Sequence, residues 1–574
     1  MLGGAPNSSG LLFTLFDKEN AYSQKKTEIK ETIIMNKQQL CDSFYNMDNV
    51  VTINITMPQA DWNTLRNADP HGGHCAFNFT GDRYDWFNAS SVEVSGTAFP
   101  AGGAHNFNSV GIKKRSFCGS FSTSKPALAL NFSKFNAANE SVIENLIGTK
   151  YITLNNSVQD ASFIRQTLGF ELFRQAGLSY SRCNYAHVKV NGNTIGFYVN
   201  IEPIKKRYIQ HNFNNNDAGN AYEIEAGEDF TQAIMNADRI SFEGFSNFQD
   251  KKDLKLATQT LAASGVAGLG SVIDIAQFAR YFAMEALIKH WDGYTRNLNN
   301  TYIYNDVVAV ANPGTANVNF KFIPWGLDQI LQENDKFALS ENTVPGKMML
   351  NDNDLLIRLK TEIRRYANSI FDRGNYDNVL LPFIAKMENI LLTAGEANVS
   401  PHIASVRKQL KLVKSGGFQL IGEFPLNSCH LLDKATDECA HASHTERVGE
   451  HFEAYHRVPA GTQSDRWYIV RSHSRPAYKI VDREYGTYLH ASATKYTNAG
   501  HLNVYCYRFH PHDGNYFNID MVDSPDPRTV TGYFKIKSTR TGNYLHYSNT
   551  DLTPLGRKQI YQSGAGNATT LYLF

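Results

Sequence analysis

The chain has 574 residues, of which 56 are basic and 55 acidic, for a formal net charge of +1. That balance leaves no electrostatic footprint for nucleic acid or an anionic membrane surface. A composition 42% hydrophobic and 12% aromatic excludes a disordered chain, the length suits two or three domains, and no run of 18 apolar residues offers a transmembrane span.

Residues 1–46 read as a polar N-terminal tail ending in a short helix. Within it Leu11–Phe16 (LLFTLF) is too short for a signal-peptide core, and no basic residue precedes it, so no signal peptide is visible. A strand is expected from Val50 and a helix from Asp61. His71, His74 and Cys75 lie close in sequence, but no fourth ligand accompanies them, so zinc is not expected. Gly96 to Lys125 is rich in Gly and Ser and reads as a solvated insertion or as a flap over phosphates. Lys125 opens a strand, KPALALNF.

Asp160 to Ala176 has helical spacing, with Ile164, Leu168 and Leu172 on one face and Gly177 just past the end. Arg165 on this helix is expected at the surface, with the active cleft as the alternative. AHVKV and NTIGFYVNI flank Asn191-Gly192, a strong hairpin signal. Glu202 closes the second strand; by its position alone it reads as a surface carboxylate. Asp274 opens a further helix with Gln277 as its capping-box partner, and Ile275, Phe278, Phe282 and Ala286 form its core face.

The chemistry concentrates after that helix. Thr301–Tyr304 and Asn319–Ile323 read as strands, and Asn312, Pro313 and Gly314 between them as turn residues. A hairpin built from them brings Asp292, Asn297 and Asp328 to its open end. Two carboxylates and a carboxamide there suit Mg²⁺ against a nucleotide triphosphate. His290, Asp292 and Asn297 also fit H-x-D-x-x-x-x-N, in which the Asp accepts a hydroxyl proton and the Asn binds metal. The same residues read equally as caps of a helix end and a turn. From Asp354 to about Lys414 follow helices of core spacing without distinctive chemistry.

Three similar segments then recur, Ser428–Ser443, Ala477–Ser492 and Tyr533–Ser548, with His441, His490 and His546 in one shared place. Each is followed by an aromatic strand: Trp467–Val470, Tyr516–Ile519 and Leu571–Phe574. Repeats of about 50 residues of this kind read as a β-trefoil, and the shared His as a packing position. Cys429 and Cys439 take places held by aromatic residues in the other two repeats. As facing cross-strand positions they predict a disulfide and an oxidising compartment, with two buried thiols as the alternative.

The block Lys150–Phe213, the DWNTL of Asp61–Leu65 and the stretch Asp274–Asp328 resemble the CotH kinase family, the spore-coat-type atypical protein kinases, over roughly Val50 to Ser415. The fold class expected from that resemblance is α+β, an atypical kinase-like domain over residues 47–423, followed by the all-β trefoil over 424–574. The resemblance implies ATP- and Mg²⁺- or Mn²⁺-dependent phosphorylation of protein Ser or Thr by a secreted or surface-associated enzyme. It makes Asp292 and Asp328 catalytic, puts Asn297 and Asp328 on metal, and puts Lys125, Glu202 and Asn300 on the nucleotide.

The chain departs from the family at Gly326, where the family carries the first Asp of Pro-Trp-Asp-x-Asp. Its Val94–Phe99 turn lacks the usual Arg, and its Lys-rich strand keeps only Lys125, with Lys113 and Lys114 as further candidates. The alternative is therefore a degenerate kinase fold serving as a surface adhesin or a carbohydrate- or protein-binding protein. The C-terminal repeats resemble ricin-type or fascin-like trefoils but carry Asp465-Arg466-Trp467 where ricin-type lectins carry Gln-x-Trp. A glycan or protein ligand, lectin-like or not, is expected there.

Overall fold

Seven strands close into a barrel, and buried residues alternate with more exposed ones most clearly along the first of them, VTINIT. The strands are β1 (Val51–Thr56), β2 (Phe87–Ser95), β3 (His105–Lys114), β4 (Leu128–Asn131), β5 (Tyr151–Asn155), β6 (Cys183–Val190) and β7 (Asn193–Ile201). They run in the order β1-β2-β3-β4-β5-β7-β6, and the ring closes through a parallel β1–β6 pair. Val51, Ile53, Ile55, Val92, Val94, Ile112, Leu130, Ile152 and Val188 fill the interior, joined by residues of α1 (Gln59–Asn67) and α2 (Asn139–Ile147). As expected, β6 and β7 turn at Asn191-Gly192, both at positive φ (+51° and +80°), which a primed two-residue turn requires.

The computed structural model describes residues 37–574 except 78, 80, 98–102, 245–250, 308–317, 449–450, 509–512, 524–525, 527 and 554. The tail before residue 37, the Asn312-Pro313-Gly314 turn and the end of the Val94–Phe99 turn lie outside them. The chain divides into two units: Met1–Gln159 with Ser181–Asp217, which holds the barrel, and Asp160–Tyr180 with Ala218–Phe574.

In the second unit α3 (Arg165–Gln175) precedes a four-stranded antiparallel sheet of β8 (Ala221–Ile224), β9 (Ser241–Gly244), β10 (Thr301–Asn305) and β11 (Phe320–Pro324), in the order β11-β10-β8-β9. Between β9 and β10 run α4 (Lys252–Ser264) and α5 (Ile275–Leu287). The expected hairpin is present, with Thr301 opposite Pro324 and Asn305 opposite Phe320. Asp274 caps α5 by accepting from Gln277 N at 3.0 Å, but Gln277 does not complete a capping box. Its carboxamide bonds β11 instead, donating to Phe322 O at 2.7 Å and accepting from Phe322 N at 3.0 Å. A buried strand edge needs both partners, and a carboxamide supplies them. After β12 (Phe337–Ala338) come α6 (Asn353–Asn368), α7 (Leu381–Thr393) and α8 (Val399–Leu420), where core-spaced helices were expected.

The C-terminal residues form a 12-stranded sheet from β13 (Leu431–Asp433) to β25 (Leu571–Leu573), without β21 (Thr529–Val530), which pairs elsewhere. Its hairpins are β14 (Cys439–Val448) with β15 (His451–Arg457), β18 (Tyr488–Tyr496) with β19 (Leu502–Tyr507), and β23 (Tyr544–Leu552) with β24 (Lys558–Ser563). Strands β15, β19 and β24 pair with one another in a closed cycle. One core, with Trp467, Ile480, Phe517, Phe534 and Leu571, lies beneath all three repeats.

The predicted Cys429–Cys439 bridge is not formed; both are free, buried thiols. The strands meet three residues further on than the prediction assumed. Leu432 faces Cys439, as Val481 faces Tyr488 and Lys537 faces Tyr544. Cys429 itself pairs with Trp467. The disulfide in this structure joins Cys75 to Cys118, so Cys75 is committed to a bond that no zinc site would allow it.

Candidate functional site

The site begins inside α5. Its buried residues are apolar apart from Gln277 and Tyr281, which carry polar tips, and Glu285, which is fully buried. A buried carboxylate must find donors, and Glu285 finds four: Tyr281 OH at 2.8 Å, His290 Nδ1 at 3.1 Å, Tyr294 N at 3.2 Å and Thr295 N at 2.9 Å. Three of these belong to the segment after the helix, so Glu285 anchors the loop that carries Asp292. Lys289 leaves the helix at φ +54°, and its buried ammonium donates to Gln332 O, Asp335 O and Gln409 Oε1. Burial pushes Lys289 down to about 8.

Asp292 sits half-buried in a cage of carboxamides. Its Oδ1 accepts from Asn297 Nδ2 at 2.6 Å and Asn299 Nδ2 at 3.1 Å, and its Oδ2 from Asn300 Nδ2 at 2.8 Å. Asn300 also donates to the Asp292 carbonyl at 3.0 Å. Leu298 and Asn300 take positive φ (+51° and +49°) to bring these amides round, a conformation that Asn tolerates better than most residues.

Across the hairpin, Trp325 N donates to Asn300 O at 3.1 Å. Gly326 follows at φ +56°, and a Cβ at that position would overlap the Asn300 side chain. Thus Asn300 and positive φ together select glycine at this position. Asp328 lies two residues on, in the short turn Leu327–Gln329. The Gly326 carbonyl lies 3.3 Å from His290 Nε2, so one imidazole ties this turn to the Asp292 loop. Trp325 packs against Tyr302 and Phe170, with ring centroids 5.8 and 6.4 Å apart.

The structure therefore brings Asn297, Asn300 and Asp292 into direct contact and puts Asp328 on the turn that His290 holds. Glu202 and Lys125 belong to the barrel unit. Glu202 is buried rather than on the surface, in a two-pronged pair with Arg182, whose Nε is 2.9 Å from Oε2. Lys125 precedes β4, with its ammonium 5.2 Å from the Tyr198 ring centroid. Lys114 turns inward: its Nζ caps the C-terminal end of α1 by donating to Arg66 O and Ala68 O, both at 2.9 Å, and burial pushes it down to about 8. Lys113 pairs with Asp82 at 2.7 Å.

Arg165, expected at the surface, is 7% exposed and pairs with Asp160 at 2.6 Å. The residues that sequence reasoning missed are Glu285, Asn299 and Arg182. Glu285 left one usable signal, a lone carboxylate in the run FAMEAL. The set Asp292, Asn297 and Asp328 offers hard oxygen donors of the kind Mg²⁺ takes, and Asn297 is exposed to solvent. No cluster of three His, Cys, Asp or Glu suited to a metal occurs among the described residues.

The family described as "CotH kinase protein" matches residues 116–377; the chain thus carries a CotH domain that spans the Asp292 loop and the Asp328 turn. No curated protein matches the chain. Among solved structures, a designed three-fold symmetric protein, ThreeFoil, matches at 16% identity and TM-score 0.21, over 25% of this chain and 96% of its own. The SDF2-like protein of Arabidopsis thaliana matches at 10% identity and TM-score 0.23, over 26% of this chain and 91% of its own. A mosquitocidal holotoxin matches at 15% identity and TM-score 0.21, over 26% of this chain and 17% of its own. No helix among the described residues is long and apolar enough to cross a membrane, and the Cys75–Cys118 disulfide is compatible with an extracellular location.

Proposed function

We propose that this protein is an ATP-dependent protein Ser/Thr kinase of the CotH type, secreted or surface-associated. The observation that carries the reading is the Asp292 carboxylate, held by three asparagine amides on a loop anchored to buried Glu285. A base must be held within hydrogen-bond reach of the proton it takes, and this loop holds one at a solvent-reachable edge.

In this reading the substrate hydroxyl gives its proton to Asp292 as its oxygen bonds the γ-phosphorus and the bond to the leaving ADP oxygen breaks. Asn297 and Asp328 would hold Mg²⁺ or Mn²⁺, which when bound neutralises charge on the phosphates. Asn300 positions the Asp292 carboxylate; Lys125 and Glu202 serve the nucleotide. Residues 424–574 are read as a β-trefoil, on the strength of three hairpins in cyclic pairing, with a glycan or protein as its ligand.

Two observations favour a second reading, a degenerate kinase fold acting as a surface adhesin. Gly326 replaces the family Asp, and Lys114 is spent on the end of α1. Transfer of labelled phosphate from ATP, with Mg²⁺ or Mn²⁺, to the protein itself and to a Ser-rich protein separates the two. Transfer supports the kinase. No transfer, together with no rise in melting temperature on adding ATP, leaves the binding protein.

A further inference from the structure

The three C-terminal repeats meet in a polar ring. Strands β15, β19 and β24 pair in a cycle, with Glu453 opposite Tyr505, Asn503 opposite Tyr561 and Gln559 opposite Tyr455. In each strand the polar residue stands two positions before the tyrosine. Residues paired across strands point the same way, so all six side chains share one face of the ring. Ala454, Val504 and Ile560, the residues between, take the other face and join the core. The three pairs mark the corners of a triangle with sides two strand residues long, about 6–7 Å. Glu453, Asn503 and Gln559 each hold a different corner.

Gln559 Nε2 donates to Glu453 Oε1 at 2.7 Å, so side chains from two corners reach one another across the ring. At the third corner Asn503 Oδ1 is buried and has no hydrogen-bond partner among the described residues. Glu453, Asn503 and Gln559 are 1%, 2% and 4% exposed. Packing alone favours apolar side chains at such depth, yet every repeat supplies a side-chain oxygen. Two positions before each of them, on the same face, His451, His501 and Arg557 are partly or fully exposed, so this face reaches solvent at its rim. There His451 stacks on Tyr505 and His501 on Tyr561, with centroids 4.7 and 4.1 Å apart. Arg557 lies over Tyr455 and donates to its hydroxyl.

We propose that a hard, oxygen-preferring metal cation sits on the axis of this ring, bound by the Glu453 carboxylate, Asn503 Oδ1 and Gln559 Oε1. Such cations take carboxylate and carboxamide oxygens and complete their shell with water. The ion gives the Asn503 oxygen the positive partner that no N–H supplies. Gln559 turns its amide to Glu453 and keeps Oε1 for the ion. With one ligand from each repeat, the ion joins the three hairpins, and its binding energy adds to the stability of the folded sheet.

The test uses the full chain, freed of metal with EDTA, and its Glu453→Gln and Asn503→Leu variants. Each is melted in tetramethylammonium chloride and again with Ca²⁺, Mg²⁺ or Na⁺ at equal ionic strength, and retained metal is counted by elemental analysis. Glu453→Gln keeps an acceptor for Gln559 but loses the charge. Asn503→Leu keeps the volume and removes an unpaired oxygen, so its melting temperature without metal should not fall. Asp328→Asn controls for the metal proposed beside the nucleotide. The expected result is that one of the cations raises the melting temperature of the parent and of Asp328→Asn by roughly 3 °C or more at saturation. Affinity for that cation falls tenfold or more in both ring variants. No rise with any cation, and no retained metal, would overturn the site and leave a ring of hydrogen bonds. An equal rise in the parent and both ring variants would also overturn it, because the ion then binds elsewhere.

Discussion

At the scale of single residues, the most consequential position is Gly326, where the resemblance leads to the expectation of an Asp. Its φ of +56° and the overlap of any Cβ with Asn300 make glycine a requirement of the asparagine cage rather than a simple loss. Gly326→Asp should therefore lower stability by about 1–3 kcal/mol in chemical denaturation without raising activity. A variant as stable as the parent would show that the cage does not demand glycine. Glu228 makes a second residue-scale prediction. It is buried, faces Glu225 and Arg239, with Lys251 adding a cationic field, and burial raises it from the ordinary carboxylate range to about 7. The folded chain then holds a proton that the unfolded chain has released between about pH 4.5 and 7, so its contribution is present at low pH and lost as pH rises through that window. Glu228→Gln should match the parent near pH 4 and be the more stable protein at pH 8. A pH-independent difference in melting temperature would contradict this origin.

At the scale of elements, the strands and helices that position the site were legible because their periodicities were strong. The β6–β7 turn, the β10–β11 hairpin and α5 lie where alternating and helical spacing predicted them. What escaped was side-chain traffic between elements. Nothing in the local pattern shows that Gln277 serves β11, that Arg165 lies inside, or that Glu285 gathers the Asp292 loop, because periodicity assigns a side chain to a face and not to a partner. The cysteines illustrate the same limit: a shared repeat position suggested Cys429 with Cys439, but the strand register offsets them by three residues. The bridge joins Cys75 to Cys118 instead, across 43 residues. Cys75→Ser with Cys118→Ser should cost about 2–4 kcal/mol, and denaturation without reductant should expose five alkylatable thiols of seven. Seven alkylated cysteines would exclude the bridge.

At the scale of the whole molecule, the chain joins a β-barrel to a unit in which helices and an antiparallel sheet are followed by a three-fold repeated sheet. The repeats were legible from recurring His and aromatic strands, whereas the division into units was not. Asp160–Tyr180 belongs with residues far downstream, an excursion that leaves no mark in composition. The site residues follow that division: Lys125 and Glu202 in one unit, and the Asp292 loop with Asp328 in the other. The role of Asp292 is tested most directly by phosphate transfer from ATP in the parent and in Asp292→Asn, which keeps the side chain's shape but cannot accept the hydroxyl proton. Transfer by the parent and a loss of a hundredfold or more in the variant are predicted. Equal transfer by the two proteins would contradict the assignment of Asp292 as the base.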